Sequence, residues 1–211
     1  PSWGRYHQQE GEGVLRAEYR LFQHRQHRAL LVADLHWETI RACPAQPEDG
    51  PGQRWHRAGF TLGLVWDGSE RFYHSFSRNR GFSLALCLSR DMKAWGSQYP
   101  VDSVALEGRQ YLELPSTNVL AWRLGFAHSS GPGRLFLLGG SVSDEKLYQP
   151  AGRRMFQSHR ALPVNFETGR GGWVFNGEFR WRLGRLEREH LGPKRVERAY
   201  IAFFTDIGNM W

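Results

Sequence analysis

Along most of this chain, apolar and polar residues trade places at every second position. In Gly172 to Leu183, Trp173, Phe175, Phe179, Trp181 and Leu183 share one face of an extended strand. Val174, Asn176, Glu178, Arg180 and Arg182 share the other, which is the period of two expected of a β-strand. The same alternation runs through Ala199 to Gly208, Gly81 to Arg90, Val14 to Phe22, Leu31 to Ile40 and Asn118 to His128. Phe60, Leu62, Leu64 and Trp66 form a further strip, and Val104, Leu106 and Leu112 a poorer one opposite Glu107, Arg109 and Glu113. These runs predict roughly eight strands, each about nine to twelve residues long, the length a tilted strand needs to cross a bilayer. A sheet in water buries its apolar face under a second layer. Here the opposite face carries Arg, Glu and Asp, which suits a wet lumen, and the aromatic strip then turns to lipid. The pattern predicts an all-β chain: an antiparallel transmembrane β-barrel, as a partial barrel of about eight strands within a larger one.

The connections add to this expectation. Gln23 to Arg28, Leu114 to Thr117 and Gly68 to Ser77 read as the shorter turns, and Arg41 to Arg54 and Ser129 to Gly171 as long polar loops. Short turns on one side and long loops on the other is the asymmetry of bacterial outer-membrane barrels. A structureless stretch as long as 129–171 is uncommon unless it has a task, and the region Ser141 to Arg170 is expected to fold inward rather than extend into solvent. The chain begins at Pro1 without an initiator Met or an apolar leader, and stops at Trp211 directly after a strand. An open strand edge in lipid leaves backbone groups unpaired. Residues 1–211 are therefore expected to be a fragment of a single outer-membrane β-barrel domain, with upstream domains and the terminal strands missing.

Composition narrows the chemistry. Mean hydropathy is −0.57, which is consistent with the expected barrel, since a barrel keeps its apolar residues at alternate positions. The net charge of +7 is spread through strands rather than gathered in a basic patch, so nucleic acid is not expected as a partner. Cys43, read as lying in a Pro/Gly-rich loop, and Cys87, on an inward strand face, point to two free thiols rather than to a metal site or disulfide framework. His24 and His27 read as a solvated turn. There is no Gly-x-Ser-x-Gly elbow, no His-Glu-x-x-His helix and no phosphate loop, so neither an enzyme nor a cofactor is expected.

The order of motifs near the C-terminal end is more specific. Leu137-Leu138-Gly139-Gly140 is followed by an Arg-containing segment, then by a strand with Glu178-Phe179-Arg180, then by Phe204-x-Asp206-x-Gly208-Asn209-x-Trp211. This resembles the BamA/TamA superfamily of outer-membrane proteins, the bacterial surface antigen family. The resemblance implies a long loop folded back into the lumen, whose tip Arg meets a Glu and the Asp of the Phe-x-Asp-x-Gly motif on two neighbouring strands. On this chain those positions are Arg160, Glu178 and Asp206, with Phe204 and Gly208 completing the strand motif. Where the family has Gly and an aromatic after the loop Arg, this chain has Ala161 and Leu162, and Arg153, Arg154 and Arg170 are rival loop residues.

The trio also has a physical basis in the residues themselves. Two carboxylates close together in a partly dry lumen repel, and a guanidinium between them relieves the repulsion and donates forked hydrogen bonds. Ordinary lumen charges solvated by water are the alternative. The resemblance implies a barrel for protein assembly or translocation in the outer membrane that works without ATP. Its partners would be outer-membrane lipid, unfolded barrel or secreted substrates, and periplasmic accessory domains or lipoproteins. An outer-membrane enzyme, a passive pore and a soluble ligand-binding β-barrel stay open beside it.

Overall fold

The computed structural model of the chain describes residues 6–24, 27–44, 53–70, 78–131, 136–138, 167–184 and 199–211. The strands are β1 (Tyr6–His24), β2 (His27–Pro44), β3 (Gln53–Asp67), β4 (Gly81–Asp91), β5 (Val101–Leu114), β6 (Asn118–Ser129), β7 (Phe136–Leu138), β8 (Glu167–Gly169), β9 (Gly171–Gly184) and β10 (Ala199–Met210). Eight of them form one sheet in the order β1-β2-β3-β4-β5-β6-β9-β10, every neighbouring pair antiparallel. The short strands β7 and β8 pair separately with each other. Among the described residues, helix is limited to two 3-10 turns, Lys93–Trp95 and Pro115–Thr117, and no helix is long and apolar enough to cross a membrane. The sheet is open, with β1 and β10 as its edges.

All eight predicted strands are present, and their faces fall where the period of two puts them. Cross-strand register aligns Leu31, Leu64, Leu86, Leu106, Phe126 and Trp173 in one row of the apolar face. Leu84, Leu120, Trp122, Leu124 and Trp181 on this face are exposed, while Leu86, Trp173, Phe175 and Phe179 are half-buried among their neighbours. The other face carries Glu18, Asp34, Arg123, Glu178 and Arg180; Asp34 is buried, and Glu18, on the edge strand, is exposed. Burial is thus inverted: Asp34, His36 and Asp91 are 1–2% exposed, whereas Trp37, beside His36 on the same strand, is 57% exposed. Buried polar groups need partners, and a large exposed apolar surface needs something other than water against it.

The polar face is also the concave one. Arg180 on β9 donates through Nη1 to the carbonyl of Arg78, just ahead of β4, at 3.0 Å. β5 and β6 stand between those strands. In a flat sheet the span from β4 to β9 is about 14 Å at the usual strand spacing, so the contact requires the sheet to curl and residue 78 to lie inside the curl.

Four sequence expectations need correction. β1 and β2 run well beyond Val14–Phe22 and Leu31–Ile40, and Cys43 pairs with His7 inside the β1–β2 ladder rather than lying in a loop. A register shift between Arg20 and Phe22 puts Leu21 out of step, so Phe22 takes the outward place opposite Ala29. There it stacks on Trp66, whose ring stacks in turn on Phe82, at centroid distances of 6.4 and 6.1 Å. The loops sort only partly by side. Connections 25–26, 68–80, 115–117 and 185–198 share one end of the sheet, so two long connections accompany the two short turns. Finally, the stretch 129–171, expected as one long loop, contains the short β7–β8 pair.

Candidate functional site: the polar concave face

Charged residues sit inside because alternation places them there, and the register decides which of them meet. At the end of the sheet bearing connections 45–52 and 92–100, four side chains from three strands converge. His36 Nε2 lies 2.8 Å from Asp91 Oδ1, Arg57 Nε donates to Asp91 Oδ2 at 2.9 Å, and Arg57 Nη1 donates to Glu38 Oε2 at 3.0 Å. His36 and Asp91 belong to β2 and β4, and the residue between them in the row is Gly59 of β3. Only the absence of a side chain at 59 lets the imidazole and the carboxylate meet across the intervening strand. Beside this cluster, Arg16 grips Asp34 with a forked pair of bonds at 2.8 and 3.1 Å.

A second network lies toward the opposite end. Glu107 accepts from Arg109 Nε at 2.6 Å and from Arg123 Nη2 at 2.7 Å. Arg123 Nη1 also donates to Asn176 Oδ1 at 3.3 Å, and Asn176 Nδ2 donates to Asp206 Oδ1 at 2.8 Å. Glu178 accepts from Arg180 Nε at 2.6 Å. Near the sheet end, Asp67 holds Arg28 at 3.2 Å and Arg78 at 2.8 Å, and Arg78 also bonds the Ser69 hydroxyl. Charge-assisted bonds of this kind join β5, β6, β9 and β10 into one polar ladder.

Between the networks runs a belt of small residues. Cys87, Ala105, Ala127, Val174 and Met210 form a buried cluster, and the side chain that completes it is Phe136 of β7. The long connection after β6 therefore begins by turning onto the concave face. Its far end is tied by main-chain bonds: Arg170 N and Gly171 N donate to Trp211 O at 2.8 and 3.1 Å, and Trp211 N donates to Gly171 O at 3.0 Å. Phe136→Ala is expected to uncover this belt and speed cleavage within Met155 to Pro163. Limited proteolysis read by mass spectrometry measures it; unchanged protection would show that Phe136 does not anchor the loop.

Of the predicted site residues, Glu178, Phe204, Asp206 and Gly208 lie on the concave face of β9 and β10, in the register Phe204↔Glu178, Asp206↔Asn176 and Gly208↔Val174. The two carboxylates are thus diagonal neighbours rather than direct opposites. Arg160, its neighbours Ala161 and Leu162, and the rivals Arg153 and Arg154 lie outside the described residues; Arg170 is described, exposed, and bonded through its main chain. Sequence reasoning missed Asn176 as the link to Asp206 and missed the cluster of His36, Glu38, Arg57 and Asp91. Their inward parity was visible, but their meeting depends on registers between strands far apart in the chain. Among the described residues, no group of His, Cys, Asp and Glu could hold a metal ion. Compared with protein-family models and with curated proteins, the chain matches none.

Proposed function

We propose that this chain forms part of an outer-membrane β-barrel of the assembly or translocation type, with its apolar face in lipid and its charged face lining a lumen. The observation that carries the membrane reading is the inversion of burial, with Trp37, Trp66, Trp122 and Trp181 exposed while Asp34, His36 and Asp91 are buried. A soluble ligand-binding barrel would place these the other way round. Aromatic residues at both ends of the outward strips of β3 (Phe60, Trp66) and β9 (Trp173, Trp181) match the girdles of such barrels. The assembly or translocation role rests on the resemblance to the BamA/TamA superfamily. The burial of Phe136 on the concave face supports a loop that turns into the lumen.

Within this reading the loop is held by Arg160 against Glu178, Asp206 or both. Both carboxylates lie on the right face as diagonal neighbours, a separation of about 7–8 Å that a forked guanidinium placed between them can span. Arg160→Ala in the full-length protein is expected to lose assembly or secretion activity while the barrel still folds. Combining Arg160→Glu with Asp206→Arg should restore part of what either single change removes. A double-mutant cycle without coupling between the positions would mean that something else holds the loop. The role itself is tested by depleting the protein in its own cells. Folded outer-membrane barrels or secreted proteins should fall, and unchanged levels of both would overturn the assignment.

A further inference from the structure

On the apolar face, where β3 to β6 approach the end bearing the 92–100 turn, an open groove of about 420 Å3 crosses the sheet. Its floor is made by Phe60, Leu62, Leu88 and Val104, and at its end stand Arg90 and Asp102. The volume lies within the roughly 300–1,000 Å3 usual for small-molecule sites. The two charges are 3.5 Å apart (Arg90 Nε to Asp102 Oδ1), with side chains 61% and 64% exposed. A pair that long and that exposed contributes little by itself, so both groups are available to an outside partner.

We propose that this groove binds a phospholipid with a phosphoethanolamine headgroup. The inference rests on the reading that the apolar face meets lipid. An acyl chain lies on the apolar floor. The phosphodiester accepts from the Arg90 guanidinium, and the primary ammonium donates to the Asp102 carboxylate. A cation and an anion side by side at the mouth of an apolar groove complement a headgroup carrying the opposite charges in the same order. Phosphatidylcholine has the charges but no N–H to donate, and phosphatidylglycerol has no cation for Asp102. Losing one charge-assisted hydrogen bond corresponds to about a tenfold loss of affinity.

The test is native mass spectrometry of the full chain in detergent with equimolar phosphatidylethanolamine, phosphatidylcholine and phosphatidylglycerol. Phosphatidylethanolamine should be retained about tenfold over the other two. Asp102→Asn should bring that ratio close to one, and Arg90→Gln, which removes the donor to a phosphodiester that all three lipids share, should reduce retention of all three. Leu88→Trp, which leaves the charged pair intact and fills the floor, should reduce retention of all three. A detergent-dependent protein that retains the three lipids equally, whose preference survives Asp102→Asn, or whose retention of all three is unchanged by Arg90→Gln, would overturn the phosphoethanolamine site alone. A chain that stays dispersed without detergent and takes up no lipid would overturn the lipid-facing reading along with it.

Discussion

Gly59→Val is expected to abolish folding of the sheet, and Gly59→Ala to impair it in the same direction. A Cβ at residue 59 would stand 2.1 Å from Arg90 O and 2.8 Å from Asp91 Cα. Those are main-chain atoms of the neighbouring strand, so no rotamer change can relieve the contact. The β3–β4 ladder has to open, and the approach of His36 to Asp91 over the glycine is lost with it. Gly108→Ala is the matched control, since its nearest neighbour would be a Leu84 methyl at 3.9 Å, an ordinary contact. The yield of protease-resistant protein after refolding measures the difference. A normal yield for Gly59→Ala would mean that the two strands do not approach as closely as described.

Arg57→Ala is expected to cost about 3–5 kcal/mol, because it leaves two buried carboxylates facing each other without the cation between them. Glu38 and Asp91 side chains are 5% and 1% exposed, so water does not reach them in compensation. Arg57→Lys should recover only part of this, since a single ammonium cannot reproduce the fork that reaches both acids. Denaturant unfolding followed by tryptophan fluorescence gives the comparison. A loss below about 1 kcal/mol for Arg57→Ala, the range of exposed pairs, would show that the cluster is solvated.

The eight strands of the main sheet and the two faces of each were legible in the sequence because a period of two is a local property. What a strand meets is not local. His36 stood on a correctly assigned inward face and Asp91 just past the predicted run Gly81 to Arg90, and their contact depends on two registers and on the absence of a side chain at residue 59. Glu178 and Asp206 were placed on the right face, and their diagonal offset follows from the β9–β10 register, which the intervening connection sets. The break at Arg20–Phe22 was hidden because Leu21 is as apolar as the Phe22 that replaces it on the outward face. Cys43 was misplaced because β2 continues past the end of its apolar alternation. Three-residue strands such as β7 and β8 are too short to show any period. Phe136 could have been suspected only as an aromatic at the root of a long polar loop.

Tryptophan quenching by bromine-labelled lipid tests the inside-out sheet most directly, and it needs no mutation. Trp37, Trp66, Trp95, Trp122, Trp181 and Trp211 are all exposed. With the chain in vesicles whose acyl chains carry bromine, most of the tryptophan emission should be quenched, and aqueous iodide should reach little of it. Strong quenching by iodide with none by brominated lipid would contradict a lipid-facing apolar surface.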